Sequence, residues 1–239
     1  MLINLRNALM SGKRTPTARD YVQSGLIWQI DAVENIGLGQ HSDTSATWSN
    51  LKTGESYHYS ITGETPLWHS DSWESVSSTN GRFFSATWPD LATTDGATVE
   101  IVSSKTSASR GVVIGAYGIT DGNRCNFEWY TNSIFRAYYD GSPYLVSQNN
   151  TFPIGRRKYL CATRAGNDYA VSNENEILAQ TSSASRKFTA SDCNIGSDGR
   201  SGSMCWYGEI CAIRIYNRRI TASEIAANYA IDKARFGLP

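Results

Sequence analysis

Asn194–Ile225 reads NIGSDGRSGSMCWYGEICAIRIYNRRITASEI, and two local patterns within it decide the fold. In the run Met204–Tyr216, Cys211, Ile213 and Ile215 alternate with Ala212, Arg214 and Tyr216. Period-two alternation gives a strand one apolar face. Ile210 falls on the wrong parity, which predicts a bulge or two-sided burial near Gly208. Just beyond the strand, Thr221 and Glu224 have the spacing of a capping box, in which each side chain satisfies a free amide at a helix start. Ile220 and Ile225 occupy the staple positions around it. Ile225 and Tyr229 share a helix face, Lys233 and Arg235 suit the negative end of the helix dipole, and Gly237 and Pro239 mark the stop.

Upstream of this stretch, short β-branched and aromatic runs recur: Gly25–Asp31, Gly81–Ala86, Ala97–Ser103, Gly111–Tyr117, Cys125–Tyr130, Ile134–Tyr139, Lys158–Arg164, Asp168–Val171, Ile177–Gln180 and Cys193–Gly196. Asp-Gly and Gly-Asn pairs separate them, at Asp95-Gly96, Asp121-Gly122-Asn123, Asp140-Gly141, Gly166-Asn167 and Asp198-Gly199. Such pairs accept the positive φ angles that hairpins require. Many short strands at this spacing predict an all-β sandwich or barrel, followed by one short C-terminal helix. A chain of 239 residues fits one such domain, expected over 21–239.

Composition narrows the function classes. Lys plus Arg and Asp plus Glu are 22 each, so no global positive field draws in nucleic acid. No apolar run is long enough to span a membrane. The five cysteines, 125, 161, 193, 205 and 211, match no zinc or redox spacing and are expected as reduced, buried thiols. Residues 1–20 read as an N-terminal arm. Leu2, Leu5 and Leu9 form an apolar stripe at helical spacing, while Arg6, Lys13, Arg14 and Arg19 are cationic. The arm lacks the continuous apolar stretch and small-residue cleavage site of a secretory signal, so synthesis in the cytoplasm without export by the general secretory route is expected. A stripe this short needs a surface, on its own domain, a sister subunit or a larger assembly.

The stretch Asn194–Ile225 also resembles the closing signature of laminin G-like, concanavalin A-like jelly-roll domains: an IG turn, a Gly-rich loop, an aromatic-x-G-E-I strand, I-R-I-Y-N-R and a capped I-T-x-x-E-I helix. The opening GLIWQIDAVENIG and the later TWSNL at Thr47–Leu51 resemble the family's first strand and following turn. Coverage runs roughly from Tyr21 to Ala230. The resemblance implies the fold, a two-sheet antiparallel jelly-roll sandwich. Together with the cationic arm, it is similar to phage or prophage-encoded proteins, which implies assembly into a virion beside other virion proteins or copies of the chain. It does not imply one function, since this architecture hosts lectins, adhesins, hydrolases and structural proteins.

The candidate chemistry is recognition. Trp68, Trp73 and Trp88 lie close in sequence to His69 and Asp71, within a polar segment. An aromatic platform beside hydrogen-bonding groups suits a sugar, whose apolar face stacks on a ring. These five residues are the expected carbohydrate-binding set; the alternative is that the indoles pack the core, as Trp28 and Trp48 are expected to do. Glycoside hydrolysis needs two carboxylates across a cleft. Related glucanases carry them in an E-x-D-x-x-E motif that does not occur here, and Glu174/Glu176 and Asp71/Glu74 read as solvated pairs, so no catalysis and no catalytic residues are expected. Calcium is conceivable through Asp121, Asn123, Asp140 and Asp198, but turn chemistry already explains each. No cofactor is expected, and no metal ligands are assigned.

Overall fold

The computed structural model describes residues 14–61, 65–75, 81–85, 87–89, 91, 95–116, 125–130, 134–139, 145–146, 153–173, 177–182, 192–199 and 204–239. Among these residues the strands, in chain order, are β1 (Leu26–Asp31), β2 (Thr47–Ser49), β3 (Ser56–Tyr59), β4 (Leu67–His69), β5 (Ser72–Ser75), β6 (Phe83–Ser85), β7 (Gly96–Ser103) and β8 (Gly111–Ala116). They continue as β9 (Cys125–Tyr130), β10 (Ile134–Tyr139), β11 (Leu145–Val146), β12 (Lys158–Ala165), β13 (Asp168–Ser172), β14 (Ile177–Ser182), β15 (Cys193–Ile195) and β16 (Gly208–Tyr216). The helix α1 spans Ala222–Phe236.

Two antiparallel sheets form the sandwich. The helix-side sheet runs β14-β13-β12-β7-β16-β5-β4, with β1 also on β16. β1 pairs Ala212–Tyr216 and β5 pairs Gly208–Ile210, so they share one edge of β16 while β7 takes the other. The far sheet runs β11-β10-β9-β8-β15-β6-β3-β2. The inner faces meet in one core that includes Trp28, Ile30, Val99, Ile101, Leu160 and Ile213 from the first sheet and Trp48, Phe83, Ile114, Phe127, Trp129 and Ile195 from the second.

The expected bulge is present. The register of β16 against β7 shifts between Ile210 and Ala212. This returns Ile210 to the core beside Ile213 and Ile215, while Cys211 turns to the helix side with Ala212. Sequence alternation alone puts Cys211 on the core face; the inserted residue moves it. All five cysteines are buried and free. The Thr221–Glu224 capping box forms, and α1 ends at Gly237 in the left-handed region.

The helix covers the outer face of its sheet and encloses a charged layer. Arg214, wholly buried on β16, donates from Nε to Glu100 on β7 at 2.7 Å and from a terminal nitrogen to Asp232 of α1 at 2.8 Å. Asn228 donates to Glu100 and to the Tyr216 hydroxyl, each at 2.8 Å, and Tyr159 donates to Glu100. Tyr21 lies with its ring 4.0 Å from the Arg214 guanidinium and donates to Asp232 at 2.6 Å. Arg235 forms a fork with Asp31 at 2.7 and 2.9 Å and reaches Glu34 at 3.2 Å. Residues 14–20, which the sequence assigns to the arm, are tied into this layer: the Ala18 amide donates to Glu34 at 2.8 Å, and Ala18 is buried.

Two arginines thus face four carboxylates away from water. Burial raises the Asp31 carboxyl to about 6, against the pull of Arg235. The folded chain therefore holds a proton that the unfolded chain releases near 3.8. That contribution is complete below the unfolded value and is lost as pH rises through about 6. Wild type is expected to lose about 2 kcal/mol more than Asp31→Asn between pH 4 and pH 7. Urea midpoints at the two pH values measure this, and parallel pH profiles would rule it out.

Candidate functional site

The structure does not build the expected indole platform. Trp68 and Trp73 are register partners across the β4–β5 hairpin, and both point inward. Trp68 is 6% exposed, Trp73 1% and Trp88 8%. Trp48 packs edge-on against Trp68, Trp73 and Phe83, with centroids 5.0, 6.2 and 5.4 Å away. The Trp73 ring also lies over Gly196, where a Cβ would stand 2.5 Å from it; φ of +87° there favours glycine as well. That glycine is the one in the IG turn quoted at the outset. The polar partners of the expected set are already engaged. His69 pairs with Glu74 at 2.8 Å. Asp71 accepts from Arg157 at 2.9 Å, and Arg157 also donates to Glu209 at 2.8 Å, joining the hairpin turn to the start of β16. The hairpin belongs to the edge of the helix-side sheet, and its pleat turns the indoles into the sandwich. The set therefore presents no free ring face to a sugar.

Leu2, Leu5, Arg6 and Leu9 lie outside the described residues, as do Glu174 and Glu176. So do Asp121, Asn123 and Asp140, while Asp198 is buried. Among the described residues no cluster of three or more His, Cys, Asp or Glu could hold a metal ion.

An aromatic ring does reach solvent on the opposite side of the molecule. In β6, Phe83 enters the core and Phe84 points out, 39% exposed. Register carries one row across the outer face of the far sheet: Thr47 opposite His58, His58 opposite Phe84, Phe84 opposite Asn194, Asn194 opposite Gly115 and Gly115 opposite Asn126. His58 is exposed and Asn194 is buried, with its Oδ1 unpaired. Arg82, two residues before Phe84, falls on the same face by strand alternation. Further along this face, Glu128 is held by Arg110 through contacts of 2.8 to 3.1 Å. The geometry supplies an exposed ring with an exposed imidazole as its register neighbour, and an arginine on the same face by strand alternation. Sequence reasoning marked Gly81–Ala86 as a strand but could not choose which phenylalanine faces out. The signal was Arg82: a charged residue at i−2 shares the pleat side of Phe84.

An open groove of about 590 Å³ lies between the β12–β14 region and the start of α1, lined by Thr163, Ser172, Ile177, Arg219 and Ile225 among others. It contains no aromatic ring, so it offers a sugar nothing to stack on.

No protein-family model matches the chain, and no curated protein matches it. Solved structures do. The sialidase of Trypanosoma rangeli in complex with sialic acid superposes with a TM-score of 0.63 at 15% identity, over 93% of this chain and 34% of that one. The CBM40 module of the Ruminococcus gnavus IT-sialidase, bound to alpha2,3 sialyllactose, superposes with a TM-score of 0.56 at 12% identity, over 66% of this chain and 96% of that module. The chain therefore spans about a third of the sialidase but nearly all of the stand-alone module. At these identities the likeness shows the fold alone, a two-sheet antiparallel β-sandwich.

Proposed function

We propose that this chain is a non-catalytic, lectin-like module that binds a glycan or another surface polymer on the outer face of its far sheet, centred on Phe84. The carrying observation is the exposed Phe84 ring between His58 and Asn194, on a sandwich whose likeness includes a module bound to a sialylated glycan. A ring held on a strand gives a sugar a rigid apolar face, and neighbouring polar groups fix its orientation. Phe84→Ala is expected to abolish binding on a glycan array while shifting stability by no more than about 0.5 kcal/mol, as surface substitutions do. An array without hits for the wild type, or unchanged binding by the variant, would refute the reading. As its setting we propose a virion or similar particle, attached through the N-terminal residues. What supports this is the apolar and cationic pattern of Leu2, Leu5, Arg6 and Leu9. The alternative function, a purely structural part of such a particle, predicts an empty array.

A further inference from the structure

Arg82, which strand alternation places on the Phe84 face, has no side-chain ion pair or hydrogen bond among the described residues, and its Nε is buried and unpaired. Arg110, Arg157, Arg214, Arg218 and Arg235 each grip a carboxylate. Shielded polar atoms ordinarily find a partner, because leaving one unmade costs free energy. Asn194, the register partner of Phe84, likewise keeps an unpaired, buried Oδ1. Among the described residues no acidic side chain pairs with the Arg82 guanidinium, and the carboxylate of Asp192 is taken up by the Asn194 amide, which donates to it at 2.9 Å.

Resting on the glycan-binding reading above, we infer that the saccharide taken by this face carries an anionic group, carboxylate or sulfate, which pairs with the Arg82 guanidinium while the sugar ring stacks on Phe84. The planar guanidinium fork matches the two oxygens of a carboxylate or a sulfate, and charge-assisted hydrogen bonds are about twice as strong as neutral ones.

The test compares ligands that differ only in charge. Calorimetric titration of the full chain with trigalacturonic acid and its methyl ester, and with sulfated lactose and lactose, separates charge from shape. At least one charged member is expected to bind about tenfold or more tighter than its neutral partner, with an advantage that shrinks in added salt. The pair that shows this identifies the group as carboxylate or sulfate. Arg82→Gln is expected to erase the advantage with an unchanged melting temperature, and Phe84→Ala to weaken charged and neutral ligands alike. Equal affinity for charged and neutral partners would overturn the inference while leaving glycan binding intact. The same holds if Arg82→Gln keeps the charge advantage. Absence of binding by all four ligands, with an empty glycan array, would overturn both.

Discussion

Trp73→Ala should lower the stability of this protein by about 3–5 kcal/mol, the range for removing a large aromatic from a packed core. The ring is 1% exposed and touches Trp48, Tyr59 and Phe83 at centroid distances of 6.2, 6.4 and 5.1 Å. Its far edge fills the space above Gly196, so no neighbour of flexible reach stands ready to close the void. The urea midpoint should fall with little change in slope. Phe84→Ala, one residue from Phe83 in the same cluster, should barely move it. A Trp73→Ala midpoint close to wild type would mean that the β4–β5 hairpin does not close the core as described.

Arg214→Met should be comparably severe. The substitution keeps much of the aliphatic volume but leaves Glu100 and Asp232 facing each other under α1 without their cation. Breaking a buried pair by removing one partner costs about 3–5 kcal/mol, because an uncompensated charge stays in the interior. Burial already pushes the Glu100 carboxyl upward, and loss of Arg214 removes the largest opposing influence. Neutralising both acids in the same variant, with Glu100→Gln and Asp232→Asn, should recover part of the loss. Thermal unfolding of the three proteins measures it. A single-variant loss under about 1 kcal/mol, within the ordinary range for point changes, would show that the layer is hydrated rather than sealed.

Residues with one dominant local cause were legible in the sequence. The Thr221–Glu224 cap and the Gly166-Asn167 turn between β12 and β13 follow from short-range geometry, and both occur; the run Met204–Tyr216 yields a bulged strand that starts later, at Gly208. The resemblance to laminin G-like domains implied a two-sheet sandwich, and that architecture is present. The short strands β2, β3, β4, β5 and β11 were missed. Each has two to four residues, too few for alternation to stand out from a polar loop. The same brevity misled the reading of Trp68 and Trp73: their sequence neighbours are polar, but polar neighbours on a strand occupy the opposite face. Arg214 shows the converse. Its polar parity suggests solvent, yet α1 lies over that face, and only tertiary packing reveals it. Phe84 was hidden because two adjacent phenylalanines look alike until the pleat assigns one to each side.

The placement of β16 has a consequence for how the chain reaches its fold. This strand lies between β7 on one edge and β1 and β5 on the other, yet it follows every other strand in sequence. During synthesis, the helix-side sheet therefore lacks its centre until residues 208–216 have been made. Until then β1, β7 and β5 present unpaired edges, and the core rings of Trp28 and Trp73 lack their cover. Closing loops of more than a hundred residues before any contact compensates makes such topologies slow, and exposed edges make them prone to association. Completion of the sheet is a late event that joins distant parts of the chain in a single step, and chaperone dependence during expression should follow from that order rather than from low stability of the finished protein.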